Sequence, residues 1–260
     1  MNGREAGVAG DEWRIAVPAR ISLLGPSGSG KSEILLRLVE DDTVWERPAK
    51  FVIYSAPTLE DRSDYLRRME ASASKRGKKL WCVEGLPPPS QMVRFSGGRP
   101  SLLLADDLAM MEDLSGLNSL ASMHGRHLNI SVVFALQSPF LKSKRGVDFP
   151  AFARNLTAYF ILNQRADYRL YSALNTMLFP ERKNWLVSCL EEAEKNGCHY
   201  LYVDLHPRAK LGRRLMVRTC VFSDQRVSGS PLFFDMQAAG GPQSSPRKPC
   251  LLYTSPSPRD

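Results

Sequence analysis

The octapeptide GPSGSGKS at residues 25–32 joins a short apolar run, ISLL, to the segment SEILLRLVE, in which Ile34, Leu35 and Leu38 share one helical face. Strand, glycine-rich turn and helix in this order commit the chain to a phosphate cradle. Glycines let consecutive backbone N–H groups curl around phosphate oxygens, and the N-terminus of the following helix adds positive potential. Gly25, Gly28 and Gly30 supply the curl, with Pro26, Ser27 and Ser29 completing the loop. In a GxxxxGK[ST] pattern Lys31 reaches the β- and γ-phosphates and the Ser32 hydroxyl ligates Mg²⁺. ATP and Mg²⁺ are therefore the expected ligands. The alternative is a flexible glycine turn without a ligand, and the flanking strand and helix count against it.

The rest of the chain continues the alternation. Short strands are predicted at FVIYS (51–55), at 80–83, at 101–105, at ISVVFAL (130–136) and at TAYFIL (157–162), with two last strands in HYLYVDL and RLMVRTCVF. Helices are predicted over 59–74, 112–124, 166–178 and 182–196, and GLPPPS at 85–90 breaks the chain. Fully apolar strands separated by helices predict an α/β fold, and with the GxxxxGK[ST] turn after its first strand the chain resembles the P-loop NTPases of the RecA/ASCE kind. Its mainly parallel sheet lies between α-helices, and the ligand lies outside the carboxyl ends of the strands.

A length of 260 residues fits one such domain, placed at 13–222. Residues 1–12 have no apolar period, and residues 223–249 are rich in Ser, Gly, Pro and Gln, so both are expected to be disordered. The final CLLYTSPSPRD (250–260) resembles a translated sequencing-library adapter and is set apart from the fold, which leaves the authentic C-terminus open.

LLLADD at 102–107 is an apolar strand ending in two carboxylates, expected beside the phosphate cradle. Asp106 is the expected Mg²⁺ ligand, through water, and Asp107 the residue that polarises the attacking water. The alternative for either is a helix cap. Gln137 ends ISVVFAL at the same sheet edge, within reach of the γ-phosphate or the lytic water, or else is a loop residue bonded to backbone.

Composition narrows the partners. A formal net charge of +8 favours a polyanion, because clustered Lys and Arg release counterions on binding phosphate. The five cysteines are widely spaced, with no CxxC pair, and read as reduced thiols. His124 and His127 lack a third ligand at metal spacing and read as helix-end residues. No uncharged apolar run is long enough to span a bilayer and no secretion signal opens the chain, so an intracellular protein is expected.

The order GPSGSGKS, EGLPPPS, LLLADDLAMM, HGRHLNISVVFALQSPF and HYLYVDLHP resembles the genome-packaging ATPases of double-stranded DNA viruses and Polinton-type transposons. These are relatives of the poxvirus packaging ATPase within the FtsK–HerA superfamily, with adintovirus-like and Polinton-like elements the most similar. The resemblance runs over about residues 20–222 and is most specific at GRHLNISVVFALQ. It implies a homo-oligomeric ring, hexamer or pentamer, that drives double-stranded DNA without sequence preference into a preformed capsid, against capsid vertex or portal proteins. It also implies a location at the site of virion assembly, in host nucleus or cytoplasm.

The same resemblance offers Arg126 or Arg154 as an arginine finger reaching a neighbouring subunit's phosphate, each otherwise a surface residue. LKSKRG (141–146) is a candidate pore loop that tracks phosphates, or a plain solvated loop. HPRAKLGRRL (206–215) reads as a turn and edge strand with surface basic residues. Related motors usually have Glu where this chain has Asp107, but viral members of the family often carry the same DD pair, so activity is still expected. Two further functions stay open, a small-molecule P-loop kinase and an element protein that binds DNA or capsid without turnover.

Overall fold

The computed structural model describes residues 13–108, 119–120, 128–137, 149–162, 168–207, 217–228 and 233–234. Several expectations fall outside these: the ends at 1–12 and 235–260, the helix at 112–124 except for residues 119–120, with His124, Arg126 and His127, the loop at 141–146, and the basic segment 208–215.

Within the described residues the chain runs β1 (Arg20–Leu24), α1 (Lys31–Glu40), β2 (Phe51–Ala56), α2 (Ser63–Lys75), β3 (Lys79–Glu84), α3 (Pro89–Ser96), β4 (Ser101–Asp106) and β5 (Ile130–Leu136). It continues with α4 (Phe149–Arg154), β6 (Ala158–Leu162), α5 (Tyr168–Leu178), α6 (Trp185–Lys195), β7 (Tyr200–Asp204), β8 (Val217–Arg218), α7 (Ser223–Ser228) and β9 (Phe233–Phe234). The strands form one nine-stranded sheet in the order β3-β2-β4-β5-β1-β6-β7-β8-β9. From β3 through β6 neighbouring strands are parallel, and β7, β8 and β9 add antiparallel pairs at the other edge. This is the expected α/β fold.

Both faces of the sheet are covered, which is why the strands read as continuous apolar runs. Successive side chains point to opposite faces. Ile53, Leu103, Val132, Phe134 and Ile161 pack with α3 to α6 on one side. Val52, Tyr54, Leu102, Leu104, Val133 and Phe160 pack with α1 and α2 on the other. Leu35 and Leu38 of α1 are fully buried there, each contributing about 1.5–3 kcal/mol of apolar burial. That packing anchors the helix whose first turn carries the lysine and serine of the cradle.

The acid-bearing β4 lies across β5 from β1, since β5 pairs with both. Two differences from expectation have physical causes. The proline run does not merely break the chain: Pro88 is the extended N-cap of α3 and Pro89 its first residue, a position where a missing N–H costs nothing. Residues of the expected disordered tail form α7. The Ser223 backbone N–H donates to Asp41 Oδ2 at 2.6 Å, Asp224 pairs with Arg37, and the Arg37 guanidinium stacks over Phe222 at 4.5 Å. The C-terminal segment therefore grips the far end of the cradle helix.

Candidate nucleotide site

Strand register brings the candidate residues to one edge. Asp106 is level with Ala135, and Ala135 with Leu23, so the end of β4 lies across β5 from the end of β1. The loop continues from there, with the Gly25 N–H donating to Leu136 O at 3.1 Å. The Asp107 N–H donates to Ala135 O at 3.3 Å. Gln137, the residue after β5, is exposed, and its Nε2 donates to Asp107 Oδ1 at 3.4 Å.

Backbone demands explain the glycines. Gly30 sits at φ 95° and ψ 15°, in the left-handed region, immediately before α1. Gly25 is confined instead by space, because a Cβ there would stand 2.5 Å from Ser29 Oγ and 3.1 Å from Leu162 Cβ. Gly30→Ala has room for its methyl, with Leu162 Cδ2 at 3.8 Å, so it isolates the backbone term. We expect it to cost about 1–2 kcal/mol, measured by chemical denaturation of the nucleotide-free protein.

Inside the loop, Ser29 Oγ donates to Pro26 O at 2.8 Å. Lys31 is 7% exposed, and its Nζ donates to Gly25 O and Pro26 O, each at 2.7 Å. Burial lowers its ammonium below the usual lysine value, opposed by the attraction of Asp107 and then Asp106. The lysine is therefore close enough to both acids to feel them, yet is held by cradle carbonyls. Ser32 is exposed at the start of α1, and its carbonyl accepts from Tyr65 OH at 3.0 Å.

Asp106 is 2% exposed and has two partners that carry no motif signal. Tyr54 OH donates to Asp106 Oδ2 at 2.7 Å, and the Arg62 guanidinium binds the same oxygen and Tyr54 OH. Arg62 Nη2 also lies 3.9 Å from Asp107 Oδ2. Burial pushes the Tyr54 phenol well above its usual value, reinforced by Asp106, so it stays a donor. For Arg62 burial pulls downward, but Asp106 and Tyr54 outweigh it and leave the guanidinium above its ordinary value. The pairing is a single charge-assisted contact between a partly exposed guanidinium and a buried carboxylate, and it is the carboxylate that would be left uncompensated if Arg62 were removed.

Among the described residues no group of three or more His, Cys, Asp or Glu side chains gathers as a metal site. A Mg²⁺ site of this type needs none, since a hydroxyl, one carboxylate and phosphate oxygens suffice. Ser32 and Asp106 are hard oxygen donors of that kind, and the guanidinium on Asp106 shows that this carboxylate holds a cation. Arg154 is not brought to this site. It is exposed at the last turn of α4, before the start of β6, and the cradle lies at the opposite ends of the strands.

No protein-family model and no curated protein matches the chain. Among solved structures, the chain is similar to the genome packaging NTPase B204 of Sulfolobus turreted icosahedral virus 2 in complex with ATP-gammaS. That match has 12% identity, 72% of this chain and 93% of that chain covered, and a TM-score of 0.38. A KaiC-like protein, PH0186, from Pyrococcus horikoshii matches at 16% identity, with 57% of this chain and 75% of that chain covered and a TM-score of 0.38.

Proposed function

We propose that this chain is a Mg²⁺-dependent ATPase that translocates double-stranded DNA, packaging a viral or transposon genome into a capsid. The observation that carries the ATPase reading is the meeting of Lys31, Asp106, Asp107 and Gln137 at the carboxyl ends of β1, β4 and β5. The motor reading rests on the order of sequence motifs across the chain and on the basic balance.

Each residue has a distinct task in this reading. The cradle at 25–32 binds the phosphates through backbone N–H groups, and Lys31 neutralises charge as the terminal phosphoryl leaves. Ser32 and Asp106 would hold Mg²⁺, which supplies electrostatic neutralisation of the β- and γ-phosphate oxygens when bound. Asp107 accepts a proton-bearing contact from the attacking water, and Gln137, already bonded to Asp107, orients that water or reads the γ-phosphate. An arginine from a neighbouring subunit, Arg126 or Arg154, completes the charge; exposure of Arg154 away from its own cradle fits service to another copy. The ring would work at the site of virion assembly, docked on a capsid vertex or portal.

ATP hydrolysis by the assembled oligomer, measured with and without long double-stranded DNA, tests the proposal. DNA should raise turnover, and the stimulation should fall as salt rises, because the contact is to phosphates. Turnover indifferent to DNA, or phosphoryl transfer to nucleosides, would place the chain among other P-loop enzymes.

A further inference from the structure

We infer that Arg62 is a built-in competitor for the metal position: without nucleotide its guanidinium occupies Asp106 and Asp107, and the divalent cation that arrives with a nucleotide must displace it. This rests on the reading of this sheet edge as a nucleotide site.

The geometry around Asp106 carries the inference. A carboxylate 2% exposed needs a compensating cation, and Lys31 is engaged with the Gly25 and Pro26 carbonyls. Arg62 supplies the charge, binding Asp106 Oδ2 and approaching Asp107. Its position allows withdrawal. Arg62 closes the single turn of 3-10 helix Glu60–Arg62 between β2 and α2, and its side chain is 25% exposed, so rotation about its own bonds carries the head to solvent without opening the core. The Lys78–Asp42 pair shows the contrast. There the lysine side chain is 1% exposed and is also fixed to Val39 O, as a permanent structural tie would be.

Tyr54 distinguishes the two partners of Asp106. Its hydroxyl comes from the interior of the sheet, so it holds the carboxylate whether or not the guanidinium is present. Displacing Arg62 then leaves Asp106 aimed and hydrogen-bonded, as a metal-binding carboxylate should be. A cation alone must compete with Arg62, whereas one carried by a nucleotide brings phosphate charge that gives the displaced guanidinium a new partner. The consequence is that metal and nucleotide enter together.

Mn²⁺ binding to the full chain without nucleotide, followed by electron paramagnetic resonance, reads this directly. Arg62→Gln should bind Mn²⁺ at least about tenfold more tightly than the parent, because the acids are no longer occupied most of the time. Its melting temperature without metal should fall by at least roughly 4 °C and recover on adding Mg²⁺, while the parent barely responds. Adding Asp106→Asn to Arg62→Gln should abolish the Mn²⁺ gain. Arg62→Lys keeps a cation at the acids, protecting the fold, and should shift Mn²⁺ affinity in the same direction by a smaller factor.

Equal Mn²⁺ affinity in the parent, Arg62→Gln and Arg62→Lys overturns the inference. A parallel titration of the parent with a fluorescent ATP analogue and Mn²⁺ separates the two readings. Tight binding there, with unchanged metal affinity in the variants, defeats the role of Arg62 alone. No binding there defeats the nucleotide site itself.

Discussion

Lys31→Ala will lower ATP turnover by at least about 10³-fold while leaving the protein folded. The lysine opens α1 with its ammonium buried and bonded to two carbonyls of the cradle, so it waits in the loop that would surround the phosphates. Transfer from those carbonyls to phosphate oxygens needs only a short movement of a flexible head. In the proposed reaction the charge it brings would matter most as the terminal phosphoryl departs, at a position where Lys31 and Asp106 are both nearly buried.

Folding should survive the change because alanine is the strongest helix former and the remaining α1 contacts, through Ile34, Leu35 and Leu38, are untouched. Circular dichroism and melting of the variant should match the parent to within roughly 3 °C. Turnover within about tenfold of the parent would remove the cradle from the chemistry altogether.

How much of this site was legible depends on how local its signals are. The cradle is a contiguous string whose glycines, lysine and serine are read without knowing what lies opposite. The parallel strands were legible because each is buried on both faces and so is apolar throughout, as LLLA and ISVVFAL are. Order within the sheet was not: nothing in LLLADD says that β5 separates it from β1.

Arg62 illustrates the harder limit. It sits in a charged stretch, EDRSDYLRR, where nothing marks one arginine from the others. Only the pairing of β2 with β4, which sets Tyr54 level with Leu104, brings the turn after β2 over Asp106. Ser223 is similar, since a polar composition describes a mobile tail equally well until Asp41, 182 residues earlier, is seen to accept from it.

Asp107→Asn will decide between the two readings that the sequence left open for the second acid. Its backbone lies at φ 56°, a left-handed conformation that asparagine and aspartate tolerate better than other side chains, so the substitution keeps the turn after β4. Asparagine also caps a following turn as well as aspartate does. If Asp107 serves only as a cap, turnover should therefore be unchanged.

If instead Asp107 polarises the attacking water, loss of its charge removes the acceptor at the point of reaction. Turnover should then fall by about 10²–10³-fold with ATP affinity within about threefold of the parent. The Gln137 bond would not compensate, because that amide already donates to Asp107 Oδ1 and adds no base. Single-turnover hydrolysis beside a fluorescent-nucleotide titration measures both quantities. Asp107→Glu sharpens the outcome: it restores the charge, but on a longer stem at a strained backbone position. Partial recovery of hydrolysis in that variant, with none in Asp107→Asn, makes the carboxylate itself the acting group and leaves its reach as the remaining variable.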